Sequence, residues 1–338
     1  MPQSWLLVET LGAEPLVVAE GSQPQNLVPL DAFLRRNPRR AAITTAIAES
    51  VRTGEPLASI TPKRARVIRT EPVRMSDGRI HGVQVWSGPI DTDPPERMMP
   101  GAVMWDLTSN SVTDTPESFA NLGQGDGHEA GYSRAFGDEQ PTRELRPAEA
   151  QVVALAIKAE PGQLLCSSWD LTDADGEPIR VGFVARTALE SGPDGRDHVI
   201  SRGMNWRVEN TEASLPPKRL AEQVLDALAQ PGVYRALIDL DTWALLRWLD
   251  EPCPFYNWRS PEIGAGRVHP DDTALFDGMR AEFATGPSAR VLRMQDVDDG
   301  WVPVHITVNR VEMDDEVFAG LVAMRLPTEE ELAEAGLR

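Results

Sequence analysis

A weak internal repeat constrains the fold of this 338-residue chain more than any other feature. Three segments each begin with two short apolar runs around a turn and later reach an Asp-Gly pair. Asp-Gly favours a tight turn, because glycine adopts positive φ without steric cost. The segment openings and their pairs follow one another at similar spacing: Trp5 and Asp77-Gly78, Trp105 and Asp175-Gly176, Tyr234 and Asp299-Gly300. The spacing predicts one architecture used three times.

Helices are predicted in the middle of each segment and strands at its end. Asn37-Pro38 suits a helix start, and Ile43, Ile47 and Val51 follow at four-residue spacing. In the third segment, residues 302–308 alternate apolar and polar side chains, as a strand with one buried face does. Strands at both ends of a segment must then share one sheet. The predicted fold class is α+β: three tandem domains, each an antiparallel sheet with helices packed on one face and a pocket between the layers.

Proline-rich and polar stretches mark the boundaries between these domains. Residues 88–100 contain four prolines among acidic residues, which is typical of a linker. Pro216-Pro217 begins a helical pattern that Pro231-Gly232 ends. We therefore expect the following organisation: domains at residues 1–90, 101–210 and 231–327, a connecting helix at residues 216–230, and a C-terminal tail at residues 328–338.

The composition argues against several classes of partner and location. A net charge of −19 disfavours a nucleic-acid or anionic-membrane partner, because both require clustered cations. No apolar run approaches the roughly 18 residues of a membrane span. The N-terminus lacks the basic and apolar regions of a secretory signal. Cys166 and Cys253 form no CxxC pair and fit a reducing compartment, so we expect a cytoplasmic protein.

Two basic clusters stand out against this acidic background. They are Arg35, Arg36, Arg39 and Arg40, and then Lys63, Arg64 and Arg66. Neither has the interleaved aromatic residues that base stacking requires. We interpret them as the solvated ends of a helix and of a strand.

The third segment resembles a PAS domain. Val268-His269-Pro270-Asp271-Asp272 precedes an Arg293-containing strand and then Asp299-Gly300-Trp301. This order matches the family pattern of a His-Pro-x-Asp helix start, an arginine-bearing strand, Asp-Gly and an aromatic residue. The resemblance covers roughly residues 231–326. It implies that these residues form a structural motif of the fold.

The whole chain resembles a group of mycobacterial and related actinobacterial proteins made only of sensor domains. The opening Trp5–Thr10 and the stretch Arg69–Gly78 carry this resemblance. It implies one GAF-like and two PAS-like domains in that order, and a scaffold or signal-integrating role. Spacing alone leaves open whether the first domain is GAF-like or PAS-like.

Candidate chemistry is sparse in this sequence. His269, Asp271 and Asp272 are interpreted as a helix start, since a metal site needs further ligands at fixed spacing. The glycine-rich stretch at residues 123–128 lacks the Lys-Ser/Thr of a phosphate-binding loop. The weak candidate ligand contacts beside it are His128, Tyr132 and Arg134.

The remaining candidates are cysteine, histidine and tryptophan residues. Cys166 and Cys253 have no evident base that would activate a thiolate. The flavin-reactive cysteine motif of light-sensing PAS proteins is absent from the sequence. His81 and His305 are strand residues, and a haem ligand is the less favoured interpretation of either. The nine tryptophans are expected to pack in the cores rather than to form a docking surface.

These observations favour a non-catalytic multi-sensor signalling or scaffold protein without cofactor or metal. Its expected partners are proteins, with a small-molecule ligand as a further option, and neither nucleic acid nor membrane. Two alternatives stay open. One is an enzyme with an unrecognised active site near Gly123–Asp138, and the other is a structural subunit of a larger complex.

Overall fold

The computed structural model describes most of the chain. The described residues are 4–61, 66–109, 111–123, 133–135, 154, 157–158, 160–173, 175–209, 227–258, 267–283, 286–298, 300–314 and 317–337. They form two compact units. The first unit comprises Met1–Thr108, Val112–Ser133 and Glu160–Leu215, and the second comprises Ser109–Ser111, Arg134–Ala159 and Pro216–Arg338. Among the described helices, none has the length and apolar character needed to cross a membrane.

The first sheet has six strands and two helices. Its strands are β1 (Leu6–Glu9), β2 (Leu16–Glu20), β3 (Gln23–Pro29), β4 (Leu57–Thr61), β5 (Arg66–Arg74) and β6 (Ile80–Pro89). The helices α1 (Leu30–Phe33) and α2 (Arg40–Thr53) lie between β3 and β4 in the chain. The spatial order of the strands is β3-β2-β1-β6-β5-β4. We call this sheet with its helices the first domain.

The second sheet also has six strands. They are β7 (Gly101–Asp106), β8 (Ser111–Asp114), β9 (Ser133–Ala135), β10 (Leu164–Thr172), β11 (Pro178–Ser191) and β12 (Asp197–Arg207). Their spatial order is β10-β11-β12-β7-β8-β9, and α3 (Pro116–Asn121) lies between β8 and β9 in the chain. We call this sheet with α3 the second domain, and residues 90–100 before it the linker.

The third sheet has five strands. They are β13 (Tyr234–Asp239), β14 (Leu245–Trp248), β15 (Ser288–Gln295), β16 (Trp301–Asp314) and β17 (Val317–Arg325), in the spatial order β14-β13-β17-β16-β15. A 3-10 turn at Pro270–Asp272 leads into α4 (Thr273–Glu282), and α5 (Glu329–Glu334) follows the sheet. We call these elements the third domain.

The three sheets share one connectivity. In each sheet the first strand pairs antiparallel with the last, as Leu6 opposite Val85 and Leu237 opposite Leu321 illustrate. The second strand of each sheet pairs with the free edge of the first. The strand that precedes the last in the chain pairs with the free edge of the last. In the described part of the third domain, the sheet has one outer strand fewer than the other two. The prediction of three antiparallel sheets built by one repeated plan is therefore confirmed.

The helix in the first domain begins later than the sequence predicts. The pattern placed its start at Asn37-Pro38, whereas α2 begins at Arg40. The Asn37 Oδ1 atom instead accepts a hydrogen bond from the Arg39 backbone N–H at 3.0 Å, which closes a turn before the helix. Ile43 and Ile47 are buried against the sheet as expected. Gly54 ends the helix in the left-handed conformation, with φ of 67°.

Both faces of the first sheet are buried. Leu6 and Val8 face α2, while Leu7 lies between them and faces the opposite way, as strand alternation requires. On that opposite face, Leu7 belongs to an apolar core shared with Met204 and Trp206 of the second sheet. The first two domains therefore pack sheet against sheet within one unit.

The tryptophans bear out the prediction that they serve the cores. Eight of the nine are buried, and Trp206 has no exposed surface. Trp301 is the exception, with 41% of its surface exposed. Because a buried indole removes a large apolar area from water, these residues stabilise the small sheets that carry them.

Candidate functional site

A cavity of about 640 Å³ lies in the first domain, where the sheet meets its helices. It has the size of a pocket for a small organic molecule. Its lining residues are Ser4, Leu6, Glu20, Phe33, Leu34, Arg36, Asn37, Arg39, Ile43, Arg66, Val85, Trp86, Ser87, Gly88, Pro89, Thr92, Asp93 and Pro95. They come from the sheet, from both helices and from the linker.

One wall of the cavity is apolar. Leu6 and Val85 are paired across β1 and β6 and contribute to the core beneath the helices. Phe33 comes from α1 and Ile43 from α2. Trp86 adds an aromatic surface at the end of β6. These side chains can shield the apolar body of a ligand from water.

Charged residues line the rest of the cavity. Three are arginines: Arg36 and Arg39 precede α2, and Arg66 begins β5. The guanidinium of Arg66 also reaches the Ser87 carbonyl at 3.5 Å, which places it against the end of β6. Glu20 and Asp93 supply the two lining carboxylates.

The linker forms part of the cavity wall and is held in place by hydrogen bonds. The Trp5 indole N–H donates to the Pro95 carbonyl at 3.0 Å. Further along, the Gln84 amide donates to the Met98 carbonyl at 3.1 Å, and Asn121 of α3 donates to the Met99 carbonyl at 2.9 Å. The linker therefore contacts the cavity at one end and both domains before β7 begins.

A cluster of ion pairs joins the first two domains on the far side of that sheet. Arg202 on β12 lies 2.7 Å from the Asp77 carboxylate and 2.8 Å from that of Glu190. Arg79 reaches Glu190 at 2.5 Å. Although burial opposes ionisation of Asp77, hydrogen bonds from Arg79 and Arg202 hold its pKa below the ordinary value. The Asp-Gly turn of the first sheet is thus fixed to the second sheet.

His81 is fully buried beside this cluster. Its Nδ1 atom lies 2.8 Å from the Gly203 carbonyl, and its Nε2 atom lies 3.3 Å from the Arg202 guanidinium. Burial lowers the pKa of His81 to about 4. A neutral ring with the proton on Nδ1 satisfies both contacts, because it donates to the carbonyl and accepts from the guanidinium.

A second ionic contact lies on the same side of the interface. The Arg186 guanidinium makes two parallel bonds to the carboxylate of Glu9, each 3.0 Å long. Glu9 is 1% exposed, and its Oε1 atom also accepts from the Leu11 N–H at 2.9 Å. Such paired geometry fixes orientation as well as proximity. The interface therefore has charge pairs at two places around its apolar centre.

In the third domain, a cavity of about 610 Å³ lies near the end of α4, where Arg280 and Phe283 face Arg310 and Phe318 of the sheet. The space directly beneath α4 is filled instead. Trp243, Phe276 and Met279 fill the space beneath α4 and pack on the strands. The cavity left among Ile238, Tyr256 and their neighbours measures about 10 Å³. That is about the room of a single water molecule. The first domain therefore has a pocket beneath its helices, whereas in the third domain the core beneath α4 is filled and the larger cavity lies near the helix end.

Of the three sequence-predicted ligand contacts, the structure describes only the backbone of Arg134. His128 and Tyr132 lie outside the described residues, and so does most of the segment Gly123–Asp138. The backbone of Arg134 belongs to β9 at the edge of the second sheet. These three contacts therefore stay a prediction, and the described lining of the first-domain cavity comes from other parts of the chain.

The PAS-like motif of the third domain lies at the start of its helix. His269 caps the 3-10 turn, its Nδ1 atom accepting from the Asp271 N–H at 3.2 Å. Asp272 accepts from the Arg293 backbone N–H at 2.8 Å and from its guanidinium at 2.6 Å. Although burial opposes ionisation, these bonds hold the pKa of Asp272 below its ordinary value.

The last part of that motif is placed beside the same turn. The Trp301 ring packs edge-on against His269, with centroids 5.1 Å apart. Pro270 opens the 3-10 turn, and Gly300 donates its N–H to Asp296 at 2.7 Å. Asp299 lies outside the described residues. Each described motif residue thus has a contact that shapes the chain locally.

The thiols and histidines show no activated arrangement in the described part of the chain. Burial raises the pKa of the Cys166 thiol, and likewise that of Cys253, to about 11. His305 lies on β16 with its ring 3.5 Å from Glu331 of α5. No group of three or more metal-binding side chains occurs among the described residues.

A buried acid–histidine cluster escaped the sequence analysis. The Nδ1 atom of His198 lies 2.6 Å from the Asp106 carboxylate, and its Nε2 atom lies 3.0 Å from Asp194. The hydrogen bond with Asp106 raises the pKa of His198. The cluster connects β12 to β7 and to the preceding turn, so its visible role is to fix the strand end.

The sequence did not place the arginines of residues 35–40 at a cavity. They were interpreted as a solvated helix end, and Arg36 is exposed, but Arg36 and Arg39 also line the cavity. The available signal was the absence of any acidic residue between Arg35 and Arg40, at a position where helices usually carry acids.

Comparisons with known proteins place the chain in a family context. Three family models match it: "Rv3651-like, N-terminal" at residues 4–96, "Rv3651-like, middle domain" at residues 99–208 and "Rv3651-like, C-terminal domain" at residues 218–335. A crystal structure of a Mycobacterium tuberculosis protein is 56% identical, with a TM-score of 0.89, and the match covers 99% of this chain and 100% of that one. No curated protein matches.

Two further solved structures align only loosely. An RNA-binding light-oxygen-voltage receptor is 11% identical over 70% of this chain and 99% of its own, with a TM-score of 0.26. The Escherichia coli DhaR(N)-DhaL complex is 13% identical over 61% of this chain and 79% of its own, with a TM-score of 0.21. Similarity at this level carries no argument about the present chain.

Proposed function

The chain belongs to the Rv3651-like family, and on that premise we propose that it is a non-catalytic sensor and scaffold protein. A small molecule binds in the cavity of the first domain, and the linker and second domain respond to its presence. Partner proteins then recognise the altered surface. The three domains are GAF-like or PAS-like modules in this proposal.

The shared connectivity of the sheets supports the sensor-module assignment. The sequence resemblance implies GAF-like and PAS-like modules. Such a module is a single antiparallel sheet with a ligand or a partner protein bound against one face. The first domain has a cavity beneath its helices, whereas side chains fill the space beneath α4 in the third. In this proposal the first domain binds the ligand and the third supplies protein contacts.

One observation carries the proposal: the linker that enters the second domain is also a wall of the cavity. Thr92 and Pro95 line the cavity, and the Trp5 indole holds Pro95 in place. A ligand that contacts these residues and binds one linker conformation more tightly than another shifts the equilibrium toward the first. The shift in free energy equals the difference between the two binding free energies. Such a ligand does not need to reach the second domain in order to influence it.

The non-catalytic part of the proposal is supported by the state of the described nucleophiles. The raised pKa values of Cys166 and Cys253 keep both thiols protonated near neutral pH. The buried His198 is held between two carboxylates at a strand end.

The proposal is tested by ligand screening with the full chain. A library of small metabolites is screened by thermal shift, and hydrogen exchange is then followed in residues 92–100 with each stabilising compound. We expect at least one compound to raise the Tm and to slow exchange in the linker. A Ser87→Phe variant, which fills the cavity, should lose both effects, whereas Ala48→Phe on the exposed face of α2 should keep them.

Two results would overturn this proposal. One is a screen in which no compound stabilises the wild-type chain. The other is a set of stabilising compounds whose effects survive Ser87→Phe while that variant remains folded by circular dichroism.

A further inference from the structure

The charge and shape of the cavity indicate which class of molecule it binds. We propose that the ligand is a small organic molecule with a single anionic group, a carboxylate or a phosphate monoester, on a flat apolar body. This inference rests on the proposed function, since it names the chemistry of the same cavity. It is argued from the distribution of charge, from the apolar walls and from the volume.

The lining of the cavity is cationic in an otherwise acidic chain. Arg36, Arg39 and Arg66 line it together with the carboxylates of Glu20 and Asp93, which leaves a local excess of positive charge. The whole chain carries a net charge of −19. An arginine guanidinium presents donors in a planar fork that suits carboxylate and phosphate groups. A single anionic group therefore fits the lining.

The start of α2 reinforces this positive potential. The helix has no acidic residue in its first turn and no side-chain hydrogen bond at its N-cap, which is Arg39. The positive end of a helix dipole is ordinarily balanced by acids at this position. Arginines here work against helix stability, and a bound anion offsets that cost. The cavity beside the helix end supplies the place for such an anion.

The apolar walls exclude a bare inorganic anion as the preferred occupant. Leu6, Phe33, Val85 and Trp86 present hydrophobic surface to the same space. Burying a matching apolar body gains free energy in proportion to the area removed from water. The volume of about 640 Å³ accommodates a drug-sized molecule and not merely an ion.

The two lining carboxylates limit the charge that the ligand can carry. Glu20 and Asp93 repel a second and a third negative group, because like charges brought together in a partly desolvated site are unfavourable. A nucleoside triphosphate is therefore disfavoured relative to a molecule with a single anionic group.

Isothermal titration of the full chain with matched probes tests the inference. The probes share one aromatic body: naphthalene-1-acetate, 1-naphthyl phosphate and the neutral 2-(1-naphthyl)ethanol. We expect at least one acid to bind about tenfold tighter than the alcohol, as one charge-assisted contact would provide. Whichever acid binds tighter identifies the anionic group, and either outcome supports the inference.

Arginine variants assign the binding to this cavity. Arg36→Gln, Arg39→Gln and Arg66→Gln should each weaken acid binding about tenfold more than alcohol binding, because the alcohol has no charge for the guanidinium to pair with. Arg35→Gln is the matched control, because Arg35 is an exposed neighbour that does not line the cavity. Thermal unfolding of each variant verifies that the chain remains folded.

The outcomes separate this inference from the proposed function. If acid and alcohol bound equally well, and if Ser87→Phe abolished the binding of both, the anion assignment would be overturned. The cavity would still be a ligand site. Acid binding that survives all three arginine substitutions would overturn it as well. If none of the three probes bound at millimolar concentration, the proposed ligand class would be contradicted. The metabolite screen tests separately whether the cavity binds any small molecule.

Discussion

The guanidinium of Arg202 lies 2.7 Å from the carboxylate of Asp77, so the last strand of the second sheet holds the Asp-Gly turn of the first. The Arg202 side chain is 8% exposed, and it also contacts Glu190 at 2.8 Å. If the two sheets moved apart, Arg202 would lose the Asp77 carboxylate while remaining poorly hydrated. Leaving a buried charge without one of its partners costs free energy. This arrangement therefore favours a single relative orientation of the two sheets.

Replacing Arg202 by methionine should strongly destabilise the first two domains. The substitution leaves Asp77 and Glu190 without their shared cation, and breaking a buried pair in this way costs about 3 kcal/mol or more. Urea unfolding followed by circular dichroism measures the change. The control is Arg196→Met, because the Arg196 side chain is 86% exposed and its guanidinium lies as far as 3.9 Å from the Asp194 carboxylate. We expect the free energy of unfolding to fall by less than about 0.5 kcal/mol. Similar losses for the two variants would contradict the structural role of Arg202.

His81 should make stability rise with pH between about 4 and 6.5. Its pKa in the folded chain is about 4, below the ordinary value of 6.5, because burial disfavours the charged ring. In that window the unfolded chain binds the proton and the folded chain does not, so unfolding becomes more favourable as pH falls. The shift corresponds to about 3 kcal/mol at 1.36 kcal/mol per pKa unit. Below about pH 4 both states are protonated and this contribution is lost.

A His81→Asn variant isolates this contribution from the other titrating groups. Asp77 and Glu190 have lowered pKa values and titrate in more acidic solution, while His198 has a raised pKa and acts in the opposite direction. Free energies of unfolding are measured in urea from pH 4.5 to 7.5 for both proteins. The variant should show a flatter dependence across this range, and a parallel pair of curves would refute the assignment.

The order of strands could be predicted from the sequence because it depends on local patterns. Alternating apolar residues such as those around Val304 identify strands, and the repeated Asp-Gly turns identify their connections. The first strand of a segment must then meet the last to bury its apolar face. Nothing local, however, indicates that the turn residue Asp77 meets Arg202. Contacts between distant charges depend on how whole sheets pack.

The sequence predicted a pocket between sheet and helices, but the residues that line it could not be predicted, for a related reason. Its lining combines Leu6 from β1, Arg39 from before α2, Trp86 from β6 and Pro95 from the linker. Each residue alone has an ordinary interpretation as a core side chain, a solvated cation or a loop residue. The filled interior of the third domain was equally invisible, because Trp243 fills it from a turn rather than from a strand. The volume of a cavity depends on how the sheet, the helices and the linker pack together, which local sequence patterns do not specify.

Gly101→Ala should destabilise the second domain. A Cβ atom at Gly101 would lie 2.1 Å from the Ser118 backbone nitrogen in α3, closer than atoms can approach, so the helix or strand must move. We expect a loss of about 2 kcal/mol or more, as for other overpacked sites. Gly278→Ala is the control, because that glycine lies in α4 with no atom within 4 Å of the added Cβ. Alanine there should stabilise by about 0.5–1 kcal/mol through helix propensity.

Thermal unfolding distinguishes these two substitutions directly. The Gly101 variant should unfold at lower temperature than the wild type, and the Gly278 variant at equal or higher temperature. A Gly101 variant with unchanged Tm would mean that α3 does not approach β7 as closely as described.

The two thiols should be nearly inert in the folded protein. With a pKa of about 11 in place of about 9, each carries roughly a hundredfold less thiolate at pH 8 than an ordinary cysteine. Burial adds a steric barrier, and the Cys166 sulfur lies 3.7 Å from the Gln25 carbonyl. We therefore expect 5,5′-dithiobis(2-nitrobenzoate) to react slowly with the native chain and rapidly with two thiols per chain in urea.

A Cys166→Ser variant assigns the rates to the individual residues. Cys253 is the more deeply buried thiol, so the variant should react more slowly than the wild type in native buffer. One thiol that reacted in the native chain as fast as free cysteine would require a nearby base or cation that lowers its pKa. Because a nucleophilic enzyme needs such a thiolate, that result would favour a catalytic function over the proposed sensor role.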